Sequence, residues 1–108
     1  MDELLTLVSS TGYAFAKWGW AKAPAGDYGV ISMGDPDTFM ADSRHAETAE
    51  RLYVDYFTRT DGEAAREAIE TAMKTMRSMW WLESIQYEEE TNFVHLEWVV
   101  VRLGKNEL

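Results

Sequence analysis

The chain has 108 residues, with ten Lys and Arg against nineteen Asp and Glu, a net charge of −9 and no cysteine. That length supplies one domain with a single core, the charge disfavours non-specific attraction to nucleic acid or anionic lipid, and the lack of thiols excludes disulfides, zinc–thiolate centres and thiol nucleophiles. No basic n-region with an apolar h-region opens the chain and no apolar run reaches bilayer length, so the sequence reads as a soluble, unprocessed protein with no membrane partner.

Residues 2–10 place Leu4, Leu5 and Val8 at helical spacing behind the acidic pair Asp2-Glu3, with Gly12 as a stop, which predicts a short amphipathic helix. The run from Tyr13 to Trp18 alternates large and small residues as a strand does, and a second strand, YGVISM, follows the turn from Pro24 to Asp27. Residues 34–46 carry the turn signal Asp35-Pro36-Asp37 and then two apolar residues, Phe39 and Met40, in polar surroundings; a long mobile loop is predicted there, ordered by contact with a neighbour. From Glu50 to Arg59 a period of two puts Leu52, Val54 and Tyr56 on one face of a strand. Asp61 is a candidate N-cap for a helix over residues 62–79, in which Ile69, Met73, Met76 and Trp80 recur at helical spacing; this spacing favours burial of Met73, Met76, Met79 and Trp80 against the sheet over a partner-binding role. Two further β-prone runs, WWLESIQYEEE and NFVHLEWVVVRL, form a predicted hairpin with Val94, Leu96, Trp98 and Val100 on one face. The order predicts an α+β domain: about five strands in a mainly antiparallel sheet, two helices packed on one face, and the other face polar or covered by another subunit.

Candidate chemistry is sparse. His45 and His95 stand fifty residues apart with no nucleophile or metal-ligand motif beside either. Asp35, Asp37 and Asp42 lack the glycine and terminal glutamate of a calcium loop, and turn formation accounts for them. Glu88, Glu89 and Glu90 read as a solvated run at a hairpin tip, and no glycine-rich phosphate loop is present. No catalytic, cofactor-binding or metal-binding residue is assigned. Trp18 and Trp20 are different: flanking Gly19 in a strand about to end, they would share a face, and a domain this small has limited room for a fourth and fifth indole. Two readings fit them, an interface and a core.

The succession of Ser10-Thr11-Gly12, Phe15-Ala16-Lys17-Trp18, the Pro24 turn into Tyr28-Gly29-Val30-Ile31, the D-x-F-x-A-D run from Asp37 to Asp42, the strand from Tyr53 to Asp61, the Ile69-Glu70 helix and the hairpin from Tyr87 to Val99 resembles the small tail-completion or tail-terminator proteins of long-tailed bacteriophages. The resemblance spans about residues 10–103; family members often have two prolines where this chain has Pro24 alone, and many have fewer tryptophans. It implies a non-enzymatic virion protein, assembled in the host cytoplasm as a hexameric ring that caps the tail tube and faces the head connector, with no cofactor and no specific DNA binding. In such a ring Trp18, Trp20, Phe39 and Met40 are expected at the subunit or partner interface. Asp35, Asp37 and Asp42 are expected in an acidic lumen or a solvated loop, where negative charge lets DNA pass without sticking. Two other roles compete: a head-completion adaptor on the connector side, and a small acidic DNA mimic that blocks a host nuclease. Basic residues interspersed at Arg44, Arg51, Arg59 and Arg66 weaken the last.

Overall fold

The computed structural model describes residues 1–34, 37–38 and 48–103. Its elements are α1 (Asp2–Ser9), β1 (Phe15–Lys17), β2 (Tyr28–Met33), β3 (Asp37–Thr38), β4 (Thr48–Thr58), α2 (Glu63–Met73), β5 (Met79–Glu88) and β6 (Phe93–Leu103). The five main strands lie in the order β1-β2-β4-β6-β5, and the two-residue β3 pairs with the start of β4. Every pairing is antiparallel except β1 with β2, which is parallel. The chain is therefore α+β, as the element order predicts.

The period of two sorts each central strand into two faces. On one, Leu52, Val54 and Tyr56 of β4 meet Val100, Trp98 and Leu96 of β6, with Ile31 of β2 opposite Val54. Leu4 and Val8 of α1 and Ala65, Ile69 and Met73 of α2 close over this face and complete one buried cluster. Trp98 is wholly buried at its centre, and its indole Nε1 donates to Glu70 Oε2 at 3.0 Å, which joins α2 to β6. Burial pushes the Tyr56 hydroxyl up to about 12, so the core tyrosine is neutral at any physiological pH.

Local signals set the element ends. Gly12, at φ 90°, stops α1 by donating its N–H to the Ser9 carbonyl, and the Ser10 and Thr11 hydroxyls donate to the exposed carbonyls of Leu7 and Val8. Asp61 Oδ1 accepts the Glu63 N–H at 3.0 Å, but the half-helical capping position itself is Gly62, at φ 81°, one residue later than expected. The predicted helix over 62–79 is too long: α2 ends at Met73, and a turn through Ser78 leads into β5. Met76 packs on the core from that turn, Trp80 packs on it from a strand, and Met79 is 61 % exposed instead of buried. The four-residue spacing of Met76 and Trp80 is coincidental; pairing of Met79–Glu88 along β6 outweighs the helical continuation.

The second sheet face, expected to be polar or covered by another subunit, is mixed: polar side chains of β4 and β6 share it with a substantial apolar surface. Val99 and Val101 are almost fully buried beneath Tyr53 and Trp81, and Tyr28, Phe57 and Phe93 form a ring cluster with centroids 5.0–6.1 Å apart. Large side chains on neighbouring strands thus shield one another, with no second layer over them among the described residues. No helix among the described residues is long and apolar enough to cross a membrane.

Candidate functional site

Three regions of the molecule carry unusual side-chain arrangements: the bend after β1, the polar cluster on the helix-free face, and the outer edge of β5. At the bend, β1 stops at Lys17 because Trp18 takes a left-handed φ of 64° and Gly19 follows at 142°. Two left-turning residues in succession break the alternation that would have set both indoles on one face. Trp20 turns inward, half-buried, and its Nε1 donates to the Gly29 carbonyl at 2.9 Å. Trp18 stays 62 % exposed.

The rest of this bend is anchored to the end of β4. Asp27 accepts the Thr58 hydroxyl at 2.6 Å and the Arg59 N–H at 3.1 Å, while the Arg59 guanidinium donates to the Ala25 carbonyl at 3.1 Å and lies 4.3 Å from the Phe93 ring centroid. Trp18 is therefore an exposed aromatic on a fixed rim. Lys17 beside it pairs with Asp2 of α1 at 2.5 Å, and this hydrogen-bonded ammonium holds the Asp2 carboxyl below its ordinary value.

On the helix-free face, β4 and β6 place Asp55 directly opposite Glu97, with His95 two residues away on the same face. His95 Nε2 donates to Asp55 Oδ1 at 2.6 Å, its ring stacks on Phe57 with centroids 4.3 Å apart, and Nδ1 faces Glu88 Oε2 at 3.7 Å. The hydrogen bond to Asp55 raises the His95 pKa against the opposing effect of burial; burial raises Glu97, with hydrogen bonding to Asp55 adding to the shift. Ligand atoms of Asp55, His95 and Glu97 lie within 4.8 Å of one another, close enough to share a divalent cation, although hydrogen bonds inside the cluster already engage them. Nε2 is thus engaged by Asp55, while Nδ1 faces the Glu88 carboxylate at a separation too long for a direct hydrogen bond. Sequence reading missed this cluster because forty residues separate Asp55 from His95. The available signal was alternation: His95 and Glu97 interleave with the inward-facing Leu96 and Trp98.

At the outer edge, β5 pairs only with β6 among the described residues. It exposes Met79, Ile85 and Tyr87 by 61 %, 49 % and 60 %, and at a bulge between Leu82 and Ser84 the exposed Glu83 carboxylate accepts the Trp81 indole N–H. Elsewhere, a groove of about 520 Å³ between the end of α1 and α2, with Ser10, Thr11, Glu67 and Thr71 among its lining residues, opens widely to solvent.

Of the residues singled out in the sequence, Trp18 and Trp20 are adjacent in the bend but have opposite exposure, and Asp37 is in β3, paired with Ala49. Asp35, Phe39, Met40, Asp42 and His45 lie outside the described residues.

No protein-family model matches the sequence, and no curated protein matches it. Among solved structures, a chain of the "Virion of native gene transfer agent (GTA) particle" superposes with a TM-score of 0.57 at 17 % sequence identity, over 94 % of this chain and 89 % of that one. At so low an identity the likeness is one of fold, and it extends over almost the full length of both chains: the architecture built here from two helices and a mixed sheet is also that of a chain in a gene transfer agent virion.

Proposed function

We propose that this protein is a structural component of a phage-like virion, a single tail-terminator-like domain that assembles as a homo-hexameric ring at the head–tail junction, caps the tail tube and joins it to the head connector. The observation that carries this reading is the fold shared with a chain of a gene transfer agent virion across 94 % of the sequence. In this reading Trp18 lies in the contact between subunits, Trp20 supports it from behind, and Phe39 and Met40 add to the contact. Asp35, Asp37 and Asp42 belong to a solvated acidic loop or to the lumen, where like charge keeps passing DNA from adhering. The assembly takes place in the host cytoplasm and the product resides in the virion.

The test has two parts. Native mass spectrometry and negative-stain microscopy of the purified protein should give a closed ring of six. Immunogold labelling of particles produced from the encoding genome should mark the junction of head and tail. A protein that stays monomeric at hundreds of micromolar and never labels particles refutes the proposal; a label on the connector side of the junction would favour a head-completion adaptor.

A further inference from the structure

We infer that the two ends of the sheet are complementary halves of one head-to-tail contact, in which the Lys17–Lys22 rim beside β1 of one copy docks against the outer edge of β5 of the next. The inference rests on the assembly reading above and specifies which surfaces meet.

Three observations converge on it. The first is apolar exposure. Trp18, Met79, Ile85 and Tyr87 are the large apolar side chains left exposed among the described residues; one adjoins edge strand β1, the other three lie on edge strand β5, and none is on a helix. Such residues on opposite edges are placed to be covered by a neighbour at each side.

The second is charge. In a chain of net charge −9, residues 12–26 contain Lys22, together with Lys17, which pairs with Asp2 of α1, and no acid, whereas residues 79–92 contain Glu83, Glu88, Glu89 and Glu90 and no Lys or Arg. The β5 edge of one copy therefore repels the β5 edge of another and attracts the β1 rim. Charges on an edge strand often serve only to prevent aggregation. An edge that is merely protected would not also display Ile85 and Tyr87, which stand on one face opposite Leu96 and Val94.

The third is direction. β5 is antiparallel to β6 and β6 to β4, while β1 is parallel to β2, which is antiparallel to β4. β1 and β5 consequently run in opposite senses at the two ends of the sheet. Copies set side by side in the same orientation bring β5 of one antiparallel to β1 of the next, and because the two surfaces differ, the contact is heterologous and repeats around a ring. The three residues of β1 are too few to template all ten of β5. Trp18 and the two lysines, not a long backbone ladder, carry the contact.

Charge reversal provides the test. Lys17→Glu with Lys22→Glu makes both edges acidic, and Glu83→Lys with Glu89→Lys and Glu90→Lys, which leaves Glu88 as the single acid of residues 79–92, makes both edges basic; all five side chains are exposed. Each variant alone should self-associate at least about tenfold more weakly than the unaltered protein in sedimentation velocity at low salt, because like charges then face each other. An equimolar mixture should recover assembly, since the two copies can alternate. Thermal melts of each variant check folding; Lys22→Glu alone, at a side chain with no ion pair among the described residues, replaces the double change if losing the Lys17–Asp2 pair lowers the melt. An unaltered protein that does not associate refutes both the assembly reading and this contact. An assembling protein whose variants associate normally, or whose mixture fails to recover, refutes the edge-to-edge contact alone.

Discussion

Alanine substitution of Trp18 and Trp20, one at a time, separates two roles that adjacent indoles at one bend would otherwise confound. Trp18 is 62 % exposed and its indole makes no hydrogen bond among the described residues, so Trp18→Ala should change monomer stability by no more than about 0.5 kcal/mol. Its φ of 64° is unfavourable for a bulky residue by about 1 kcal/mol, so Trp18→Gly should stabilise the monomer by roughly 0.5–1 kcal/mol while weakening assembly. Trp20 is half-buried and donates to the Gly29 carbonyl at 2.9 Å. Truncating a fully buried Trp costs about 3–5 kcal/mol, so half burial with loss of that hydrogen bond gives about 2 kcal/mol. For a domain this size that lowers the melting temperature by roughly 8 °C. Urea and thermal unfolding at concentrations too low for association measure both values. A Trp18→Ala midpoint lowered as far as that of Trp20→Ala would refute the assignment of Trp18 to the rim and Trp20 to the interior.

Four other outcomes are expected. The His95 pKa is raised, so the folded chain holds that proton more tightly than the unfolded one; the stabilisation is complete below about pH 6.5 and is lost as pH rises through the folded value. Melting temperature should thus fall above pH 6.5, a slope that His95→Gln removes. Glu97 is raised as well, with its contribution present below about pH 4.5 and lost above, so Glu97→Gln should lift the melting temperature at pH 7 more than at pH 4. A Cβ at Gly29 would lie 2.1 Å from Phe15 Cε1, so Gly29→Ala should cost about 1–3 kcal/mol in denaturant titrations, partly recovered by Phe15→Leu in the same chain. Finally, the purified protein should give no salt-sensitive gel shift with duplex DNA, because its charge of −9 opposes phosphate contact.

Periodicity made most of the fold legible. YGVISM is β2 to the residue, and the inward Leu52, Val54 and Tyr56 follow from simple alternation. The errors arise where local pattern competes with long-range pairing: Met76 and Trp80 match a helix by spacing, yet Trp80 is drawn into β5 by Val100. At the bend, left-handed φ at Trp18 reverses a side-chain direction that alternation alone assigns otherwise, and no propensity anticipates such a conformation for tryptophan. The Asp55–His95–Glu97 cluster depends on the register of β4 against β6, a relation between segments that neither segment encodes by itself. The opposed charge of residues 12–26 and 79–92 was present in the sequence throughout, but only the sheet order turns it into two ends of one surface.

The pairing of β4 with β6 also dictates when the molecule can fold. Partners in this ladder are 36 to 54 positions apart, from Thr58 with Val94 to Ala49 with Leu103, so closing it requires large loops and places the domain among slow, topology-limited folders. The β5–β6 hairpin is local and closes first. On the ribosome, β4 emerges well before β6, and its apolar side must wait for the final described strand to leave the exit tunnel. Cooperative collapse is thereby postponed until β6 has been made, and the two sheet edges become rigid only once that strand is in place. A chain whose core closes in that order exposes a half-built sheet to its neighbours on the same message for as long as β6 is missing, and an already closed one afterwards.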